Sequence, residues 1–164
     1  MTTEAVSGGL VRPLLIFTGV LVIGQAVLYG LVEAFPGFDM PSSFGLIIAM
    51  VAAMSGGQSF AKATGRTFVG SEKLRFSLTG VAISIALSLA TIAGIFAWYG
   101  VPFSTDMLAL VMTGDPAMAA EMKPWLPVIF GIGLLVGWAV IHFAAGAGAK
   151  GMVKRMARDA ATNG

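Results

Sequence analysis

The chain of 164 residues is 57% hydrophobic and only 11% charged, with a mean hydropathy of +0.88, whereas about a quarter of the residues of a soluble domain are charged. A water-soluble fold of this size could not bury so much apolar surface, so the composition predicts an integral membrane protein without a separate soluble module. There is no cysteine, which excludes disulfides, thiolate metal sites and cysteine nucleophiles. A nucleic-acid partner is not expected, because no stripe of basic and aromatic residues lies outside the apolar stretches.

The basic residues are sorted along the chain. Nine of the ten Lys and Arg residues lie in three short segments, namely Arg12, Lys62–Arg75 and Lys150–Arg158. Basic residues concentrate in the cytoplasmic connections of membrane proteins. The pattern therefore predicts an all-α fold with four transmembrane helices in one bundle and both termini in the cytoplasm. We expect one domain over residues 1–164, with spans at about 13–32, 41–61, 76–98 and 125–149.

Span one runs from Pro13 to Val32, close to the ~20 residues that cross a hydrocarbon core of ~30 Å. A cleavable signal peptide is the competing interpretation, because Gly24-Gln25-Ala26 is similar to a cleavage site. The apolar run continues past Ala26, and the N-terminal segment carries no net positive side-chain charge, which favours a retained span. For Gln25, in the outer half of this span, we expect an interhelical hydrogen bond.

Span two follows Asp39, and Pro41 with Ser42-Ser43 suits its helix start. The aromatic pair Trp98-Tyr99 suits the outer interface at the end of span three. Span four begins near Trp125, and the basic tail ends it on the cytoplasmic side.

The central basic segment is the connection between spans two and three. We expect Gly65 to cap the second helix and Ser71 to be the N-cap of the third, with Glu72 favoured by the helix dipole in the first turn. Glu72 is the only acid in the cytoplasmic connections, so an ion pair with Arg66 is the structural hypothesis. The functional alternative is a docking or phosphate-binding loop, for which a single Gly65-Arg66 step is a weak signal.

The order Phe60, Lys62, Arg66, Glu72 and Lys73 resembles a family of small uncharacterised bacterial membrane proteins. Those proteins have about this length, four predicted spans and a similar Phe-x-Lys/Arg…Arg…Glu signature after the second span. The resemblance implies a multi-pass protein of the bacterial inner (plasma) membrane, and it implies no activity.

The segment 100–123 is too long for a simple turn. Ser104 or Thr105 would cap a short helix that ends at Gly114, and Asp115-Pro116 fits an N-cap followed by Pro at the first helical position. We therefore expect one or two short helices, or a re-entrant piece, along the periplasmic face. Thioethers can bind Cu(I), but the irregular spacing of the four methionines here favours apolar contact with lipid or a partner. They are Met107, Met112, Met118 and Met122.

Small residues recur every three or four positions along spans two, three and four. There is little hydrophobic drive between helices in lipid, so residues that allow close backbone approach hold such helices together. The predicted packing positions are Gly45, Ala49, Gly56, Ser84, Ser88, Gly133 and Gly137. A second small stripe on span three comprises Ala82, Ala86, Ala90 and Gly94. This stripe would meet another copy or another protein, although Ala is common in membrane helices for no such reason.

His142 is the only ionisable residue deep in a span, eight residues before Lys150 and so about 12 Å from it along a helix. Ser55, Gln58 and Ser84 are expected at a similar depth. An ionisable group inside the membrane is a candidate functional site, here a proton-sensitive or ligand-contacting imidazole. The alternative, a neutral His that joins helices by hydrogen bonds, is favoured because no carboxylate lies inside a span.

The sequence offers no paired carboxylates, metal-ligand cluster or Ser-His-Asp arrangement, so we expect neither an enzyme nor a metal or cofactor site. A haem held between two copies of His142 is the remaining cofactor alternative. The pattern favours a non-catalytic accessory, assembly or regulatory subunit that packs against membrane partners. The alternative is a small self-assembling transporter or channel, although no acid lies inside a span to exchange protons.

Overall fold

The computed structural model describes residues 8–35 and 43–162. Throughout that part of the chain the regular structure is helical, with no β-strand. The helices are α1 (Gly8–Ala34), α2 (Phe44–Thr64), α3 (Gly70–Trp98), α4 (Thr105–Thr113), α5 (Pro116–Met122) and α6 (Leu126–Thr162), with a 3-10 turn at Lys123–Trp125 before α6. Among these, α1, α2, α3 and α6 are long and apolar enough to cross a membrane, so the predicted all-helical fold with four candidate spans is confirmed for the described residues.

The two ends of α2 test the predicted capping residues. Pro41 and Ser42, the predicted start of span two, lie outside the described residues, and Ser43 precedes α2 without a side-chain capping hydrogen bond. At the other end of α2 the predicted C-cap is confirmed. Gly65 adopts φ 69°, and its N–H donates to the carbonyl of Ala61 at 2.8 Å, the geometry that favours glycine.

Helix α6 is much longer than the predicted span that it contains. Its 37 residues extend about 55 Å at 1.5 Å per residue, well beyond a hydrocarbon core of ~30 Å. The basic residues after Ala149 therefore continue the helix rather than ending it. Met152 is buried against Ala61 and Ala149, with Phe68 packed against the same cluster, so tertiary packing supports this extension.

By its internal contacts the chain divides into two compact units, residues 1–84 with 137–164, and residues 85–136. In the first unit, α1 packs antiparallel to α2, and glycines on each helix leave room for atoms of the other helix to come close. A Cβ at Gly24 would lie 2.6 Å from a side-chain carbon of Ile48, and one at Gly56 would lie 3.0 Å from the carbonyl oxygen of Pro13. Close approach of this kind is what holds helices together in lipid.

Phenylalanine rings fill the core of the first unit. Phe17, Phe60 and Phe76 are fully buried, and the rings of Phe17 and Phe76 meet edge to face with centroids 5.9 Å apart. Phe68, in the connection between α2 and α3, stacks on Phe60 at 4.0 Å and lies 5.4 Å from Phe76. Aromatic pairs in these geometries contribute about 0.5–1.5 kcal/mol each beyond their burial, so they anchor the connection to the helices.

The backbones of α2 and α6 touch at two glycines. A Cβ at Gly57 would clash with the carbonyl group of Ala145, and a Cβ at Gly148 would clash with the carbonyl group of Met54. The two contacts are reciprocal. Gly57 faces the carbonyl of Ala145 and lies three residues after Met54, whereas Gly148 faces the carbonyl of Met54 and lies three residues after Ala145. One Cα hydrogen of each glycine therefore points at a carbonyl oxygen, as in the weak hydrogen bonds common at close helix interfaces.

The second unit contains the short helices between spans three and four, which the sequence predicts. The Ser104 hydroxyl accepts the Met107 N–H at 3.2 Å, and Gly114 ends α4 with φ 69°. Asp115 then caps α5 by accepting the Ala117 N–H at 2.7 Å, with Pro116 at the start of the helix. A small apolar cluster holds this region together, formed by Ala109, Ala119 and Leu126 with Leu110 and Met122.

Candidate functional site

A hydrogen-bonded cluster joins α3 and α6 around the one histidine of the chain. The Ser77 hydroxyl oxygen lies 3.2 Å from Nδ1 of His142 and accepts the indole N–H of Trp138 at 3.1 Å. The same hydroxyl lies 3.0 Å from the carbonyl oxygen of Leu74. Ser77 is fully buried, and the Trp138 and His142 rings pack with centroids 5.2 Å apart. The cluster therefore holds the imidazole in one orientation.

The Ser77 hydroxyl has a single proton to give, whereas the indole N–H is only a donor. If Ser77 donates to the carbonyl of Leu74, Nδ1 of His142 must carry a proton and donate to Ser77. If Ser77 donates to Nδ1 instead, a neutral imidazole carries its proton on Nε2. In both arrangements Nδ1 is engaged, and Nε2 is the ring nitrogen that can contact another molecule.

Lys73 lies one helical turn before Ser77 on α3, beside the same part of α6. Its Nζ lies 5.4 Å from the centroid of the Phe143 ring, within the range of a cation–π interaction. The side chain crosses Gly146, where a Cβ would lie 2.9 Å from Cε and 3.0 Å from Nζ of Lys73. The glycine thus leaves the space through which the lysine reaches α6.

The connection between α2 and α3 contains the predicted ion pair. Arg66 and Glu72 form two parallel hydrogen bonds of 2.7 and 2.8 Å, and the guanidinium lies 5.3 Å from the centroid of the Phe60 ring. The hydrogen bonds with the carboxylate raise the pKa of Arg66 above its ordinary value. The bidentate geometry is the strong form of this interaction, so the ion pair holds the connection between α2 and α3 against the start of α3.

The start of α3 corrects one prediction. Ser71 is not the N-cap, because α3 begins at Gly70 and Val69 precedes it. The Glu72 carboxylate accepts the Val69 N–H at 3.0 Å, and the Val69 carbonyl accepts the Lys73 N–H at 2.9 Å. Glu72 thus reaches back to the residue before the helix, as in one half of a capping box. It caps α3 and pairs with Arg66 at once.

The other predicted polar residues form no hydrogen bond with this cluster within the described residues. Gln25 and Gln58 are half-buried, and neither forms a hydrogen bond with any residue in the described ranges 8–35 and 43–162. Ser55 and Ser84 donate to carbonyls one turn back in their own helices, at 2.9 Å each. None of the four contacts His142 through a hydrogen bond in that part of the chain, and the interhelical hydrogen bond expected for Gln25 stays a prediction.

The predicted packing positions divide into buried and open ones. Ala49 and Gly56 are buried, and Ser84 is half-buried. Ser88 is exposed. A Cβ at Gly45, Gly133 or Gly137 would meet nothing within 4 Å in the described structure. Packing at these open positions stays a prediction.

Several residues that matter in the structure have no distinct signal in the sequence. Ser77, Trp138 and Lys73 surround His142, and the available hint is spacing: Trp138 precedes His142 by one turn, and Ser77 follows Lys73 by one turn. Gly57 and Gly148 make the closest backbone contacts but belong to a chain with 22 glycines. Spacing alone does not say which helix faces turn toward each other.

No group of three or more His, Asp or Glu residues that could hold a metal ion occurs within the described residues. Of the four methionines between spans three and four, Met122 packs against the small apolar cluster, and Met112 and Met118 are exposed. No family model matches the chain, and comparison with curated proteins and with solved structures finds no match.

Proposed function

We propose that the chain is a non-catalytic integral membrane protein that acts as an accessory, assembly or regulatory subunit of larger membrane proteins. It forms one four-helix bundle in the bacterial inner membrane, with both termini in the cytoplasm and with α4 and α5 on the periplasmic face. Eight of the ten basic residues lie around the connection between α2 and α3 or in the last part of α6, which supports this orientation. The resemblance of residues 60–73 to small four-span bacterial proteins supports the same compartment.

The observation that carries this proposal is the exposed stripe of small residues on α3 within the second unit. Ala86, Ala90 and Gly94 recur every four residues and are exposed, and a Cβ at Gly94 would meet no atom of residues 8–35 or 43–162 within 4 Å. Such a surface admits the backbone of another helix, whose close packing is what drives association in lipid. Residues 132–136 of α6, which belong to the same unit, are also exposed, so apolar surface is abundant in this unit.

Double substitution of the stripe tests the proposal. Ala86→Leu with Ala90→Leu fills the space that a partner helix would occupy, whereas Ala86→Ser with Ala90→Ser keeps the side chains small and serves as the matched control. The native mass and the co-purifying proteins are measured together after extraction in a mild detergent. We expect a reproducible partner with the unaltered protein and with the Ser variant, and its loss with a folded Leu variant.

A Leu variant that retains the partner would remove this face as the interface. An unaltered protein that elutes as a pure homo-oligomer would contradict the subunit role and favour a self-assembling transporter or channel. Flux through liposomes that contain the purified protein then becomes the test, with His142→Leu as the first variant.

A further inference from the structure

Lys73 is a half-buried cation that has no carboxylate partner among the described residues. The acid next to it in the sequence, Glu72, is occupied by both hydrogen bonds to Arg66, and the ion pairs in the described part of the chain do not include Lys73. Its ammonium group instead faces the Phe143 ring and the backbone at Gly146. A partly desolvated ammonium group gains most from an anion brought to it.

The second unpartnered group is Nε2 of His142. Ser77 engages Nδ1, and no residue of the described ranges forms a hydrogen bond with Nε2. The one buried side-chain polar atom without a partner in that part of the chain is the hydroxyl of Ser59, so Nε2 of the half-buried His142 reaches the surface. Because Nδ1 is engaged, Nε2 is the ring nitrogen left to form a hydrogen bond with a molecule outside the chain.

These two groups lie on matching turns of two helices. On α3, Lys73 precedes Ser77 by one turn, and on α6 His142 precedes Gly146 by one turn. Because Ser77 contacts His142 and Lys73 contacts Gly146, the ammonium and the imidazole are about one helical turn, or 6 Å, apart along the helices. Lys73 is in the first turn of α3, so the pair lies near the membrane surface.

We propose that Lys73 and His142 form a binding site for one phosphate group, carried by an anionic phospholipid at the membrane surface next to the connection between α2 and α3. The phosphate accepts a hydrogen bond from the ammonium group and one from Nε2–H. The neutral imidazole carries its proton on Nε2 when Ser77 donates to Nδ1, and Trp138 donates to Ser77 in turn. This row of donors all points toward the anion, which strengthens each bond.

The test uses the single histidine, because protein labelled with ¹⁵N-histidine gives ring signals from His142 alone. The purified, delipidated protein is titrated in detergent with short-chain phosphatidylglycerol, with the phosphatidylcholine of equal chain length, and with inorganic phosphate. We expect phosphatidylglycerol to shift the Nε2 signal toward a proton-bearing nitrogen, and phosphatidylcholine to bind more weakly because its own cation offsets the phosphate charge.

Two variants and one control separate the site from general attraction to basic residues. Lys73→Gln removes the charge, and Gly146→Ala displaces the ammonium group without changing any charge. Each should weaken phosphatidylglycerol binding about tenfold or more, as expected for a lost hydrogen bond to a charged group. Lys62→Gln removes an exposed lysine of α2 and should leave the binding unchanged.

The arms of the titration identify the source of the phosphate. A shift with phosphatidylglycerol alone makes the lipid the ligand, and an equal shift with inorganic phosphate supports the site with free phosphate as the ligand. The proposal is overturned if neither compound shifts the Nε2 signal, or if both site variants bind phosphatidylglycerol as tightly as Lys62→Gln.

Discussion

The reciprocal contact between α2 and α6 makes a quantitative prediction about two glycines. In the variant Gly57→Ala the new methyl carbon would lie 2.9 Å from the carbonyl carbon of Ala145, and in Gly148→Ala it would lie 2.8 Å from the Cα of Met54. Non-bonded carbon atoms pack at about 3.5–4.0 Å, and both neighbours are backbone atoms, so no side chain can rotate away. The two helices must move apart to accept either methyl group.

The expected cost follows from the known cost of overfilling a packed interface, about 1–3 kcal/mol. The loss of a Cα–H···O contact adds about 0.5–1 kcal/mol, and the better helix propensity of Ala over Gly returns about the same amount. Each variant should therefore lose about 1–3 kcal/mol of unfolding free energy. At about 2–4 °C per kcal/mol for a chain of this length, the melting temperature should fall by roughly 2–12 °C.

Thermal unfolding in a mild detergent measures this effect, and each helix supplies its own control. Gly45→Ala on α2 and Gly151→Ala on α6 place a methyl group where no atom of the described residues lies within 4 Å, so they should keep or slightly raise the melting temperature. Variants at Gly57 and Gly148 that melt with these controls would refute the close backbone contact.

Three further predictions concern the polar residues. The charge reversal Glu72→Lys should lower the melting temperature, and combining it with Arg66→Glu should partly restore it; failure of the pair to recover would count against the ion pair. Ser59→Ala should keep or raise the unfolding free energy, because it removes a buried hydroxyl that has no partner among the described residues; a loss above about 1 kcal/mol would show that the hydroxyl forms a hydrogen bond. Ser77→Ala should lower the unfolding free energy by about 1–3 kcal/mol, because it leaves the indole of Trp138 and the imidazole of His142 without a partner. Ser84→Ala, which loses a hydrogen bond within α3, should change it little. Equal effects of the two variants in thermal unfolding would argue against the cluster.

The features that the sequence predicts well are those that depend on neighbouring residues. Four long apolar helices follow from composition, because each stretch carries its own hydropathy signal. The C-caps Gly65 and Gly114 and the N-caps Ser104 and Asp115 follow from local turn chemistry. The Arg66–Glu72 pair, six residues apart, is also within reach of such reasoning.

The contacts around His142 are not local, and local patterns do not contain them. Ser77 and His142 are separated by 65 residues, so their meeting depends on how α3 and α6 rotate about their axes. Small residues occur on several faces of each helix, which is why the open Gly133 and the closely packed Gly148 look alike in the sequence. The start of α3 was misassigned because a serine is the commoner cap, while here Glu72 performs the capping from within the helix.

The long C-terminal part of α6 presents its charges in a set direction. Met152 packs against Ala61 of α2, with Phe68 beside it, so this face of α6 points inward. Lys150, Lys154 and Arg158 are exposed at steps of four residues, so they form a row of positive charges about 6 Å apart on one helix face. An acidic surface that binds there meets charges at a fixed spacing, and the buried Met152 determines the direction in which this charged face points. Loosening the packing of Met152 should make the orientation of this charged face variable without removing a single charge.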